Sequence, residues 1–372
     1  MRTEKHQISA PHSSAQYELH SLHFGEPEKG KKVYIHAGLH ADEPPGMLVA
    51  QFLRTRLAEL EAAGNITGEV ILVPAANPIG RAQALHGVAF GRFDMTTGVN
   101  FNRDFKHVAD DLKQSLVGLL NWDEARNVRL IRRKAREVID ALQPATDDAA
   151  LKQILLQLAI DADIVLDLHC DNDAVLHIYA GTPLAAAAQP LSALLGAQAF
   201  LLSRNSGGEA FDEACSRLWW DLDEHFGSAY PIPPACLAVT VELRGEVEVD
   251  YALARQDAER LLQFLAHQGV LAVDAPVLPP ALCQATPLEG VEPLLAPHAG
   301  VLVYTRALGE QVRPGDAIAD LVDPVSGDTT TVRCATGGCF FARSARRHVT
   351  RGMNIGKIAG ATAYRAGYLL SA

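Results

Sequence analysis

His40 and Glu43 stand three residues apart in Gly38-Leu-His40-Ala-Asp-Glu43, directly after a short apolar run, and a second histidine closes another such run in Asp167-Leu-His169. Across one helical turn that spacing puts His40 and Glu43 on the same side. Two imidazoles and one carboxylate make the open zinc site of many hydrolases, with the fourth position left to water. The ion acidifies that water and polarises a carbonyl. We therefore expect one Zn2+ per chain at His40, Glu43 and His169. An HxxE pair alone says little; its placement after one buried strand, with DxH after another, gives it weight. The competing reading makes His40 a helix cap and His169 a hydrogen-bonded core histidine. Asp167 shares a strand face with His169; it either orients that ligand from behind or merely ends the strand.

Glu242 interrupts the apolar run Leu237-Ala-Val-Thr-Val-Glu242-Leu. A buried glutamate is costly unless paired or used, and burial raises its pKa into a range suited to proton transfer. It is the expected catalytic acid and base; the alternative is an ion pair with Arg244. In Gly98-Val-Asn-Phe-Asn102-Arg103 an amide and a guanidinium lie side by side, a pairing that grips a carboxylate, with arginine binding it in two-pronged fashion. Asn102 and Arg103 are thus expected to bind substrate. Arg92 is placed to polarise the scissile carbonyl and stabilise its oxyanion. For both arginines the competing reading is an ordinary surface charge. The loop Ser203-Arg-Asn-Ser-Gly-Gly208 lacks the phosphate-binding pattern but is placed to close over a site.

These residues need elements that aim them at one place. Val33–His36, Gly68–Pro74, Asp163–Leu168 and Leu237–Leu243 read as buried strands. Between and after them, Pro44–Leu57, Asp123–Leu142, Ala149–Ile160 and Tyr251–Gln268 read as helices. Buried strands alternating with helices imply an α/β fold with a mixed, largely parallel sheet covered on both faces. In such sheets ligands bind at the carboxyl ends of the strands. Four of those ends carry His40 and Glu43, Asn77, His169 and Glu242.

Near residue 275 the texture changes to short strands and glycine turns. Pro297-His-Ala-Gly300 with Val312-Arg-Pro-Gly315 is echoed by Ala335-Thr-Gly-Gly338 with Val349-Thr-Arg-Gly352, which suggests two interleaved β units. The division is a catalytic domain over 1–275 and, over 276–372, an all-β domain resembling the barrel-sandwich hybrid of biotinyl and lipoyl carriers. Those carriers place a lysine on the hairpin between their halves. Here Asp323-Pro-Val-Ser-Gly-Asp328 has none, so the tail reads as a structural relative of a carrier and not as a carrier.

The chain has 372 residues, 48% of them hydrophobic, and a formal net charge of −11. The acidic excess argues against nucleic acid as a partner. The six cysteines form no CxxC pair, which suits reduced, mostly buried thiols and a cytoplasmic location. No signal-peptide core or membrane-length apolar run is read, and His6 and His12 are expected at the surface. A homo-oligomer, most simply a symmetric dimer, is the general expectation for such a protein.

Taken together, Gly38-Leu-His40-Ala-Asp-Glu43-Pro, Asn77-Pro78, Asn102-Arg103, Asp167-Leu-His169 and Val241-Glu242 resemble the succinylglutamate desuccinylase and aspartoacylase family, which is related to the zinc carboxypeptidases. The resemblance runs from about Lys32 to Gly360. It implies a zinc carboxypeptidase-like fold, His40, Glu43 and His169 as zinc ligands, Glu242 as acid and base, and Arg92, Asn102 and Arg103 as substrate residues. Three features depart from the pattern. Ala41 stands where the family often has glycine, Asn100-Phe-Asn102-Arg103 replaces the Asp-Leu-Asn-Arg typical of aspartoacylases, and the helical stretch over 107–146 does not map onto the pattern. The expected activity is hydrolysis of an N-acyl group from a small carboxylate-bearing amino-acid derivative. The alternatives are a metallocarboxypeptidase acting on short peptides and a zinc-free, non-catalytic binding relative.

Overall fold

In the computed structural model, which describes residues 1–370, a nine-stranded sheet forms the frame. At its centre Glu69–Val73, Lys32–Ala37, Ile164–Asp171 and Leu237–Gly245 lie side by side in that order and run parallel. Glu69–Val73 is buried throughout, and Lys32–Ala37 beyond its first residue, as strands covered on both faces must be. Beyond Leu237–Gly245 comes His177–Gly181, antiparallel to it, then Ala199–Ser203 and Ala285–Pro287 in parallel. The sheet is therefore mixed, with its parallel core where the alternating pattern placed it.

Helices Pro44–Ala62, Ala185–Leu195 and Tyr251–His267 bury Leu53, Leu191 and Leu261 against one face of the sheet. Ala109–Ser115, Glu124–Asp140, Asp147–Ala159 and Phe211–Phe226 bury Leu112, Ile131, Leu155 and Leu218 against the other. Their starts are locally encoded. Asp123, Thr146 and Asp250 each accept a hydrogen bond from the first turn that follows. Pro44 and Pro45 begin a helix where a missing amide proton costs nothing.

The polar amino-terminal stretch, assigned no element from sequence, forms an antiparallel hairpin of Arg2–Gln7 and Glu18–Gly25 that extends the sheet through Glu69–Val73. Its outer strand faces solvent on one edge, so no apolar alternation marks it. His6 lies in that strand and meets Ser21 Oγ at 2.8 Å, while His12 is exposed. All six cysteines are free thiols and five are buried.

Toward the carboxyl end two antiparallel sheets enclose Leu302, Ile318, Phe340, Ile355 and Ile358. One contains Val291–Leu295, Asn354–Gly360, Gly338–Arg343 and Gln311–Val312. The other contains Thr329–Arg333, Ala317–Val322, Gly300–Tyr304 and His348–Val349. The turn over 323–328 links Ala317–Val322 to Thr329–Arg333 and is held by Asp323, whose carboxylate accepts from Val325 N and Ser326 Oγ. This region is stitched to the large sheet. Asp173–Ala174 pairs with Gly338–Arg343, Lys357 Nζ lies 2.5 Å from Asp171, and Arg343 Nε lies 2.7 Å from Asp173. Among the described residues no helix is long and apolar enough to cross a membrane.

Candidate active site

The strand Lys32–Ala37 ends in a turn that only a few residues permit. Gly38 has φ +70°, and a Cβ there would press on Met47 at 3.1 Å. That turn delivers His40 and Glu43 just before helix Pro44–Ala62. Two braces hold it. Asn77, at the end of the neighbouring strand, donates from Nδ2 to Leu39 O at 2.9 Å and accepts from Gly80 N. It supports the turn and is not part of the cavity lining. Gly91 O accepts from Ala41 N at 3.0 Å, and a Cβ on Gly91 would fall 2.3 Å from Asp42 N. Glycine at that point lets the loop bearing Arg92 lie against the turn.

His40, Glu43 and His169 are all buried and offer ligand atoms within 4.8 Å of one another, a group able to hold a metal ion. His40 Nδ1 lies 2.9 Å from Glu43 Oε1, and His169 Nδ1 lies 2.9 Å from Glu43 Oε2. The outer nitrogens fix the ring tautomers. His40 Nε2 meets Asn100 Oδ1 at 2.8 Å, an oxygen that also accepts from Asn102 N. His169 Nε2 meets Asp167 Oδ1 at 2.8 Å. Carboxylate and amide oxygens accept only, so both Nε2 atoms donate, and in the neutral rings the Nδ1 lone pairs point inward. With both rings neutral, two lone pairs and a carboxylate would converge, an arrangement that a metal cation between them would satisfy.

The electrostatics agree. Burial, aided by the Arg92 charge, lowers His40 to about 4, so its ring stays neutral. Burial also opposes charge on Glu43, yet His40 and His169 outweigh it and hold the carboxyl well below its usual range. On His169 burial is overcome by Asp167 and Glu43, which raise it well above normal. A metal ion held there would compete with that proton for the same site.

Asp167 does not end its strand, which continues to Asp171. It backs His169, and its Oδ1 also lies 2.5 Å from His36 Nε2, whose Nδ1 meets Tyr34 OH at 3.0 Å. Glu242 reaches the same cavity from Leu237–Gly245, with Oε2 lacking any hydrogen-bond partner. Burial, and then the Glu43 charge, push it up to about 8. The alternative pairing with Arg244 is absent. The strand is irregular beyond Glu242, Arg244 has φ +70°, and its guanidinium pairs with Asp257.

His40, Glu43, Arg92, Asn102, Arg103, His169 and Glu242 line one cavity of about 230 Å³. Arg92 Nη2 lies 2.7 Å from Glu43 Oε1. Asn102 Oδ1 accepts from Phe211 N at 2.9 Å, so this side chain also ties its loop to the start of helix Phe211–Phe226. Arg103 donates to Asn102 O at 2.6 Å. Sequence reasoning did not find Tyr179, Asp212, Glu213 or Lys357, which also line the cavity. Asp212 and Glu213 open helix Phe211–Phe226, where acids are ordinary helix-start residues, so nothing in the sequence marked them.

Burial, with Glu213 beside it, pushes Asp212 from 3.8 up to about 8. An acid whose folded pKa is raised contributes stability that is full below its unfolded pKa and lost as pH climbs toward the folded value. Between about pH 4 and pH 8 the wild-type melting temperature should therefore fall with a component that Asp212→Asn removes. Parallel melting curves of the two proteins across that window are the test; identical slopes would refute the assignment.

The family model for the succinylglutamate desuccinylase/aspartoacylase catalytic domain matches residues 29–268. A family protein of this kind from Shewanella amazonensis superposes with a TM-score of 0.84 at 27% identity, covering 96% of this chain and 98% of its own. A second, from Shewanella frigidimarina, gives 0.86 at 25% identity, covering 96% and 97%. A succinylglutamate desuccinylase from a Silicibacter species gives 0.64 at 18% identity, covering 97% and 95%, a likeness of fold. No curated protein matches the chain. A matched catalytic domain spanning more than half the sequence, with the inward-facing His40, Glu43 and His169 inside it, places this chain in the succinylglutamate desuccinylase/aspartoacylase family.

Proposed function

We propose that this protein is a zinc-dependent amidohydrolase that removes an N-acyl group from a small, carboxylate-bearing amino-acid derivative. One observation carries the reading: the imidazoles of His40 and His169 and the Glu43 carboxylate converge in a cavity that also holds the partnerless Oε2 of Glu242. Held by His40, Glu43 and His169, zinc would acidify a water and polarise the acyl carbonyl. Glu242 takes a proton from the attacking water at Oε2 and passes it to the leaving nitrogen. The Arg92 guanidinium, anchored on Glu43, offers its remaining donors to the carbonyl oxygen as charge develops there. Arg103, with the amide of Asn102, holds the substrate carboxylate.

The division into a catalytic domain over 1–275 and a β domain over 276–372, read as barrel-sandwich-like, gives the second part a task. Asn354, Lys357 and Arg365 from that part line the cavity and limit its size. A cavity of about 230 Å³ bounded by these side chains favours small N-acyl amino acids over the peptides of a carboxypeptidase. The deciding experiment is a panel of N-acyl amino acids and dipeptides offered to the zinc-loaded protein, with release of the acyl carboxylate as the readout. Cleavage of dipeptides alone would favour the peptidase. Absence of stoichiometric zinc in protein purified without chelator would favour a binding relative.

Arg103→Ala should raise KM for carboxylate substrates by roughly ten- to a hundredfold, the worth of a charge-assisted hydrogen-bonded pair, with kcat little changed. An equal loss on substrates lacking the carboxylate would show that the grip is misassigned.

A further inference from the structure

Three buried side chains in the cavity take no part in the chemistry above. Glu213 Oε1 accepts from Ser206 N at 2.7 Å, which leaves Oε2 buried and without a partner. Ser206 Oγ is likewise buried, near enough to the Glu213 carboxylate to favour its charge but without a full hydrogen bond of its own. Asp212 lines the same cavity beside them. Glu213, Ser206 and Asp212 are 8%, 3% and 7% exposed. Acids that merely favour a helix start do so at the surface. Burying two of them, with an unsatisfied hydroxyl alongside, is costly unless a ligand completes the set.

Their position relative to Arg103 is fixed by the backbone. Gly208 O and Glu209 O accept from Asp104 N and Phe105 N, both at 3.0 Å, and Asn102 Oδ1 accepts from Phe211 N. Gly208 packs so closely that a Cβ would fall 2.7 Å from Arg103 Cδ. The segment that flanks Arg103 therefore runs straight into Asp212 and Glu213, and both acids act on the Arg103 charge.

The geometry points to an ammonium subsite in which Ser206, Asp212 and Glu213 receive a primary ammonium of the substrate, next to the carboxylate held by Arg103. An ammonium has three donors, and Glu213 Oε2, an Asp212 oxygen and Ser206 Oγ supply three acceptors. Carboxylate and ammonium side by side are the head of a free α-amino acid. The inference rests on the hydrolase reading and narrows it: the acyl group sits on a side-chain nitrogen, in an Nω-acyl diamino acid. An Nα-acyl amino acid would present a neutral amide to the two acids. The reaction keeps its balance, since water adds to the acyl carbon, the carbon–nitrogen bond breaks and the leaving nitrogen gains a proton.

The test uses the zinc-loaded full chain and matched pairs. Side-chain N-acetylated 2,4-diaminobutyrate, ornithine and lysine are each compared with the desamino analogue, in which hydrogen replaces the α-ammonium, such as 5-acetamidopentanoate for the ornithine case. The free products, ornithine against 5-aminopentanoate for example, are compared by calorimetry. At the preferred chain length the ammonium should raise kcat/KM by about tenfold or more, mainly through KM, and tighten product binding similarly, as charge-assisted hydrogen bonds do. Glu213→Gln, which keeps an oxygen for Ser206 N, should bring both ratios toward one. Asp212→Asn is the second variant in case the first disturbs that turn. Equal values within every pair, or ratios untouched by both substitutions, would overturn the subsite. Selective product binding without hydrolysis of any amide would uphold the subsite and overturn the hydrolase reading. Hydrolysis without selectivity would do the reverse.

Discussion

Glu242→Gln should bind metal and substrate as the wild type does, yet lose about a thousandfold in kcat, within the range a positioned acid–base group supplies. The substitution keeps the shape of the side chain and removes only its ability to carry a proton. Glu242 is suited to that task by its surroundings. Burial and the Glu43 charge push it up to about 8, and its Oε2 has no competing partner. A divalent cation held nearby would favour the carboxylate form needed to accept a proton, while burial would favour protonation once that proton is taken. Metal content by elemental analysis, together with steady-state kinetics, checks the expectation. Near-normal turnover would remove Glu242 from the mechanism.

Chelation should bring hydrolysis down to background, and adding zinc back should restore it. His169→Ala should not recover at the same zinc concentration. Three acceptors around an ion make removal of one a loss of binding and not only of rate. An ion held by His40, Glu43 and His169 would tie together the turn after Lys32–Ala37 and the strand Ile164–Asp171, so the zinc-loaded wild type should melt at a higher temperature than the stripped protein. An unchanged melting temperature on stripping, or full activity of His169→Ala, would mean that the centre lies elsewhere.

The clustering of His40, Glu43 and His169 with Glu242 was legible in sequence because each interrupts or ends a buried apolar run, and a polar residue in such a run needs a reason. The parallel core was legible through the same runs. What stayed hidden had ordinary local signals. Asp212 and Glu213 look like the start of any helix, and only the tertiary fold turns them inward. Lys357 lies in a strand far along the chain, and no spacing connects it to Asp171. Arg2–Gln7 is polar throughout because only one edge of it is paired. The alternative pairing of Glu242 with Arg244 followed from regular alternation, which fails at the irregularity beyond Glu242.

The strand that supplies His169 runs on through Asp171, which grips Lys357, to Asp173–Ala174, which joins Gly338–Arg343. His169, the third of the proposed ligands, is thereby moored from outside its own sheet. Cropping the tail to widen the entrance would put slack into that mooring, so a shortened enzyme would shed its ion before it gained any breadth of substrate.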